Sequence, residues 1–293
     1  MNFFWHIVIV IAVSLPNILG FNLIFGKGKI FHFGPLGISI IAAYGTFITL
    51  MNTESYLLGM LVGLTAALAL SMIFAWCSLR LEQDGFGVIS LAMHLGLLVV
   101  VLNFQSLTRG ALGIPRVPRF PILGMMEQGL ALSSMEAFAL LSVLLSLGWI
   151  AIMWWIDRGP IGRKLKALSE FHQSAGALGV NRTRVHIIVF ALGAVGALLT
   201  NVLFHQYLGL VHPNDFSFTA FIFFVTVVVA GGPGSVFGAI LACILLVLLR
   251  EGLRFVPLPA DILGPLRLMF FGLILFTAVW WRRDTLFPKQ RMV

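Results

Sequence analysis

The sequence predicts an all-α fold, a polytopic transmembrane helical bundle of about eight or nine spans with a helix-forming loop at one face. Three observations carry this. Of 293 residues, 59% are hydrophobic and 10% charged, and the mean hydropathy is +1.02. A soluble domain of this size cannot cover that much apolar surface, whereas a bilayer accepts it. The apolar residues fall in runs at about 5–25, 35–51, 57–76, 86–103, 135–156, 185–209, 217–231, 235–250 and 264–281. The 19 Lys and Arg lie between or beside these runs, which reads as membrane sidedness rather than as a nucleic-acid surface.

Taken in order, the start MNFFWH has no basic flank, so it reads as a first span and not as a cleaved signal peptide. In GFNLIFGKGK (20–29), five residues separate Gly20 from Gly26 and no Ser or Thr follows Lys27, so the segment is not a phosphate loop. The second span opens on Gly34-Pro35, where a proline in the first turn costs no hydrogen bond. The run 217–231 closes on Ala230-Gly231-Gly232-Pro233-Gly234. Both runs are short. Interrupted spans of this kind lie near permeation paths in transporters, and the same small residues also serve close helix packing. The segment 104–134 reads as a long ordered external loop or a surface for an external partner. Cys77 and Cys243 stand alone at or within apolar runs, where they fill space. One transmembrane domain, 1–293, accounts for the chain.

Nine spans place the two ends on opposite sides. Putting the N-terminus outside leaves 13 of the 19 basic residues cytoplasmic: Lys27, Lys29, Arg80, six around the loop 157–184, and Arg282, Arg283, Lys289 and Arg291 in the tail. Positive residues are retained on that side, so the expectation is a bacterial inner-membrane protein with a cytoplasmic C-terminus. Eight spans with one re-entrant piece is the alternative.

No Asp or Glu falls in mid-span, Glu136 and Glu251 coming closest; His94 is the titratable side chain nearest a span centre. It reads either as a proton shuttle or substrate contact, or as a neutral histidine bonded to a neighbouring helix. His186 and His205 lie nearer span ends, as structural or interfacial residues. Paired carboxylates, metal-ligand spacing and a nucleophile elbow do not occur, so no catalytic role, metal or cofactor is expected in this chain. Transport without an ATP site or a coupling acid is passive, or is driven by another subunit. Within the basic loop, Leu165, Leu168, Phe171, Ala175 and Leu178 recur every three or four residues, as on an amphipathic helix. Such a helix lies on lipid or serves as a lever for a cytoplasmic partner.

The loop resembles the coupling loop of permease subunits from ABC importers of the branched-chain amino-acid and urea/amide class. It reads Gly162-Arg163-Lys164-Leu165-Lys166-Ala167, then Gln173-Ser174-Ala175, then Gly179-Val180-Asn181. HQYLGLVHPNDFSF (205–218), VAGGPGSVFG (229–238), GFNLIFGKGK (20–29) and LNFQSLTRGALGIP (102–115) also match in order, and the middle region looks more like the M-type than the H-type permease. The family's Glu-Ala-Ala element has become Gln-Ser-Ala, its Gly-His step is Gly34-Pro35, and Leu95 and Leu98 stand where it has an acid and an arginine. The resemblance implies a second permease subunit, two cytoplasmic ATPase subunits carrying ATP and magnesium, and an external substrate-binding protein. It also implies ATPase coupling through Gly162, Arg163, Leu165, Ala167, Glu170, Ala175 and Gly179. Asn22, Tyr44, His94 and Asn103 are candidate path residues, each equally able to make an interhelical hydrogen bond. The rival readings are a stand-alone passive or proton-coupled carrier using His94, and a membrane scaffold or enzyme.

Overall fold

In a hydrocarbon core every backbone N–H and C=O must be satisfied within the chain, so the apolar runs close into helices. The computed structural model describes residues 2–255 and 260–281; the basic tail, Arg282, Arg283, Lys289 and Arg291, lies outside the described residues. The helices are α1 (Asn2–Phe21), α2 (Gly34–Thr53), α3 (Tyr56–Arg80), α4 (Gln83–Asn103), α5 (Gln105–Thr108), α6 (Pro121–Leu130), α7 (Ser134–Arg158), α8 (Pro160–Glu170), α9 (His172–Ala177), α10 (Arg182–Leu208), α11 (Phe218–Gly231), α12 (Val236–Gly252) and α13 (Ala260–Trp281). A π-helical segment, Asn22–Lys27, continues α1. Among the described residues, eight helices are long and apolar enough to cross a membrane. Helix α11 has 14 residues, which at 1.5 Å each reach about 21 Å, short of a core of about 30 Å.

Small residues let the central helices touch. A Cβ placed on Gly20 of α1 would lie 3.0 Å from the Cα of Gly193 in α10, and one on Gly45 of α2 would lie 3.4 Å from the Cα of Gly63 in α3. Packing of this kind replaces hydrophobic burial as the force between helices in lipid. Pro16 has no N–H, so it leaves the carbonyl of Ala12 without its helical donor. The Ser146 hydroxyl of α7 donates to that carbonyl, and the Trp149 indole donates to the Pro16 carbonyl at 3.1 Å. A break that would cost several kcal/mol in lipid is thereby closed from a neighbouring helix.

The two ends of the bundle differ in charge. Lys27, Lys29, Arg80, Arg158, Arg163, Lys164, Lys166, Arg182 and Arg184 gather at one end, where Lys27 pairs with Asp157, Arg182 donates to the Ser78 carbonyl at 3.2 Å and Gln83 donates to the Lys29 carbonyl at 2.6 Å. At the opposite end, β1 (Ile114–Pro115) pairs antiparallel with β2 (Leu210–Val211), and Tyr56 donates to the Arg119 carbonyl. There Glu251 is held by Arg250 at 3.1 Å, Arg254 at 3.0 Å and His6 at 3.4 Å. Glu136 closes a capping box with Ser133 at the start of α7. The two acids nearest the spans are therefore structurally engaged.

Candidate functional site

The chain leaves α10 at Gly209, whose φ of +70° favours glycine, and turns inward. Residues 212–216 are tied locally: the Asn214 N–H donates to His212 Nδ1 at 3.1 Å, and the His212 N–H donates to Asp215 Oδ2 at 3.2 Å. Phe216 is buried against Tyr44, halfway along α2, and against His205, with ring centroids 6.3 and 5.5 Å away. The turn therefore ends within the thickness of the bundle, and α11 starts there. Its N-cap, Ser217, makes no side-chain capping bond. The first N–H groups of such a helix have no partner inside it and carry partial positive charge.

In front of this terminus lies a cavity of about 610 Å³ between α1, α2, α10, α11, α12 and α13, within the usual range for small-molecule sites of roughly 300–1,000 Å³. Its polar wall includes the cation Arg250 beside six further polar residues, Asn17, Ser39, Thr200, Asn201, His205 and Asp215. Asn17 donates from Nδ2 to Ser39 Oγ at 3.0 Å and from its backbone N–H to Thr200 Oγ1 at 3.0 Å. Val13, Leu36, Phe204, Phe223 and Phe271 supply apolar wall. None of the six polar residues was a candidate path residue. Asp215 reads as a loop acid and His205 as a span-end histidine until the turn between them folds inward. The signal in the sequence was the Pro213-Asn214-Asp215 turn before an apolar run too short to span.

The candidate path residues are placed as follows. Tyr44 and His94 are buried behind the cavity, both beside Phe216, and the Tyr44 hydroxyl and His94 Nδ1 have no hydrogen-bond partner among the described residues. Asn22 sits at the other end of α11, where it accepts from the Gly234 N–H at 2.9 Å and donates to the Ser235 carbonyl at 3.1 Å. Gly232 and Gly234 in that turn have φ of +98° and +80°, and a Cβ on Gly26 would collide with both Asn22 Oδ1 and the Gly234 nitrogen. Asn103 is exposed at the end of α4 and donates to the Val99 carbonyl at 2.8 Å.

At the basic end the amphipathic stripe divides. Gly162, Leu165, Leu168 and Ala175 are buried, whereas Arg163, Ala167, Glu170 and Gly179 are exposed, as are Phe171 at 72% and Leu178 at 86%. The cause is local: Phe171 has φ −145° and ψ 84°, which separates α8 from α9. Leu165 reaches Gly28, where a Cβ would lie 3.1 Å from its Cδ1. Arg163 donates to the Arg158 carbonyl at 3.0 Å, closing the corner between α7 and α8, and Glu170 lies 4.0 Å from Lys166. Between α8 and α4 opens a second cavity of about 1,030 Å³, lined by Lys27, Lys29, Gln83, Asp84, Lys166 and Glu170 among others. Burial pushes His32, in the loop before α2, down to about 3, so it stays neutral and its Nδ1 accepts from the Gly34 N–H at 2.9 Å.

Comparison with known proteins gives the frame for this geometry. Residues 4–279 match the family described as the branched-chain amino acid transport system permease component. The chain is 31% identical to the high-affinity branched-chain amino acid transport system permease protein LivM of Escherichia coli and 30% identical to LivM of Salmonella typhimurium, over 93% of this chain and 67% of each relative. Identity to LivH of Salmonella typhimurium is 24%, over 78% of this chain and 77% of that protein. No solved structure matches. The chain thus belongs to the family of permease components of branched-chain amino acid transport systems, and lies closer to its LivM type than to its LivH type.

Proposed function

We propose that this chain is one of two permease subunits of an ATP-driven importer for branched-chain or related amino acids and amides. In this reading the basic end faces the cytoplasm and the N-terminus lies outside, as positive residues are retained inside. Two ATPase subunits, carrying ATP and magnesium, grip α8 and α9, and an external binding protein delivers substrate to the opposite end. The observation that carries the reading is the division of the stripe. Leu165 and Leu168 anchor α8 to the bundle, while Phe171 and Leu178 stand in water where a protein partner covers them. Exposed apolar side chains in a charged segment mark an interaction site.

The contacts suggest how a push on this arm travels. Leu165 rests on Gly28, Lys27 pairs with Asp157 at the base of the arm, and Asn22 and Gly26 hold the 232–235 turn. That turn ends α11, whose other end opens on the cavity. A partner shifts this equilibrium only by binding its two states differently.

Reconstitution with ATPase, second permease and binding protein tests the proposal. Wild type should show ATP-dependent leucine uptake, and the Phe171→Ala/Leu178→Ala double variant should insert normally yet lose ATPase co-purification and uptake by about tenfold or more. Uptake by this chain alone, following a pH gradient and abolished by His94→Gln, would support the carrier instead.

A further inference from the structure

The cavity wall carries free hydrogen-bonding capacity of both kinds. Asp215 and His205 offer acceptors. Asp215 keeps one carboxylate oxygen without a hydrogen bond among the described residues, because only Oδ2 takes the His212 N–H. His205 is fully buried and lines the cavity, and its Nδ1 lies 3.1 Å from the Leu210 carbonyl. That carbonyl requires a donor, so Nδ1 carries the hydrogen and Nε2 is an acceptor. Nε2 has no partner.

The wall also offers donors, the Arg250 guanidinium among them. Ser39 Oγ and Thr200 Oγ1 each accept from Asn17, and among the described residues neither hydroxyl hydrogen is used. The Ser217 hydroxyl is also free of a capping bond, at the head of a 14-residue helix whose first N–H groups point outward from it. Thr200 and His205 are five residues apart on α10, about 7.5 Å along its axis. That separation leaves room for a small head group with a hydrogen bond at each end. The apolar wall of Leu36, Phe204 and Phe223 takes the remainder of such a molecule.

We propose that this cavity is a binding site for a zwitterionic α-amino acid with an aliphatic side chain, built into the permease itself. Asp215 and His205 receive the ammonium, and Ser39, Thr200 and the α11 N-terminus with Ser217 receive the carboxylate. The proposal rests on the importer reading above and adds that the membrane subunit discriminates its cargo by both charged poles. A site that must leave buried polar groups unpaired rejects an analogue lacking their partner far more strongly than a purely apolar pocket does.

The test uses the assembled membrane complex without the binding protein, with radiolabelled L-leucine displaced by L-leucine, by 4-methylpentanoate, which lacks the ammonium, or by L-leucine methyl ester, which lacks the carboxylate. On wild type both analogues should displace at least about tenfold more weakly than leucine. Asp215→Asn should weaken leucine by about tenfold and bring leucine and 4-methylpentanoate within about threefold of each other, while discrimination against the ester survives. Ser39→Ala/Thr200→Ala should do the converse, which separates lost recognition from a misfolded protein. Equal displacement by all three ligands on wild type, or unchanged discrimination in both variants, overturns the site. So does the absence of leucine binding in a complex that takes up leucine with ATP once the binding protein is restored. Absence of ATP-driven uptake by the complete wild-type system overturns the importer reading instead.

Discussion

The arm formed by α8 and α9 and the cavity at the head of α11 are built on opposite rules. The arm leaves apolar side chains, Phe171 and Leu178, exposed, whereas the cavity holds polar groups, Asn17, Ser39 and His205, buried inside the helical bundle. Each arrangement is costly in isolation. Exposed apolar surface calls for a protein cover, and buried polar capacity calls for a polar guest. In the proposed reading the difference gives separate tasks: the arm meets a partner, the cavity meets cargo, and the short run 22–28 with the 232–235 turn joins them.

Variants at the join should break the relation between the two regions most severely. Gly26→Val drives a side chain into Asn22 and the Gly234 backbone, so uptake should fall by well over tenfold even where ATPase co-purification persists. Asn22→Ala removes both hydrogen bonds to the turn. Leaving these part-buried backbone groups unpaired should cost about 1 kcal/mol, read as a lower melting temperature of the complex together with weakened uptake. Lys27→Met removes an ion pair with Asp157 that is mostly shielded, the side chains being 14% and 22% exposed. A loss of about 1–2 kcal/mol is expected, and Asp157→Asn should add little to it in the double variant if the two act as a pair. Gly179→Ala is the mildest. Its φ of +81° meets no steric neighbour, so the backbone penalty of about 1–2 kcal/mol is confined to the end of the arm, and cavity binding should not change.

How far each region was legible follows from the same contrast. Long apolar runs announce helices because a bilayer leaves the backbone no other option, and the basic loop shows its amphipathic stripe in the spacing of Leu165, Leu168 and Ala175. The stripe gave no warning that Phe171 breaks it, since an extended backbone at one residue leaves no mark on periodicity. The cavity was hidden for a different reason. Asn17, Ser39, Thr200 and Asn201 are single polar residues on three helices, and nothing along the chain says that they meet. Asp215 lies between runs, so depth appears only when its turn packs on Tyr44 and His205. Among the described residues eight helices are long enough to cross, and the 14-residue α11 is what separates a count of eight from a count of nine.

The central claim is that motion of the arm reaches α11 through the 22–28 run and its clamp on the 232–235 turn. The most direct measurement is the number of leucine molecules imported per ATP hydrolysed by the reconstituted complex, wild type against Asn22→Ala. If the join transmits the stroke, hydrolysis stays within about twofold of wild type while leucine per ATP drops about tenfold. An unchanged ratio, whether both rates persist or both fall together, contradicts it.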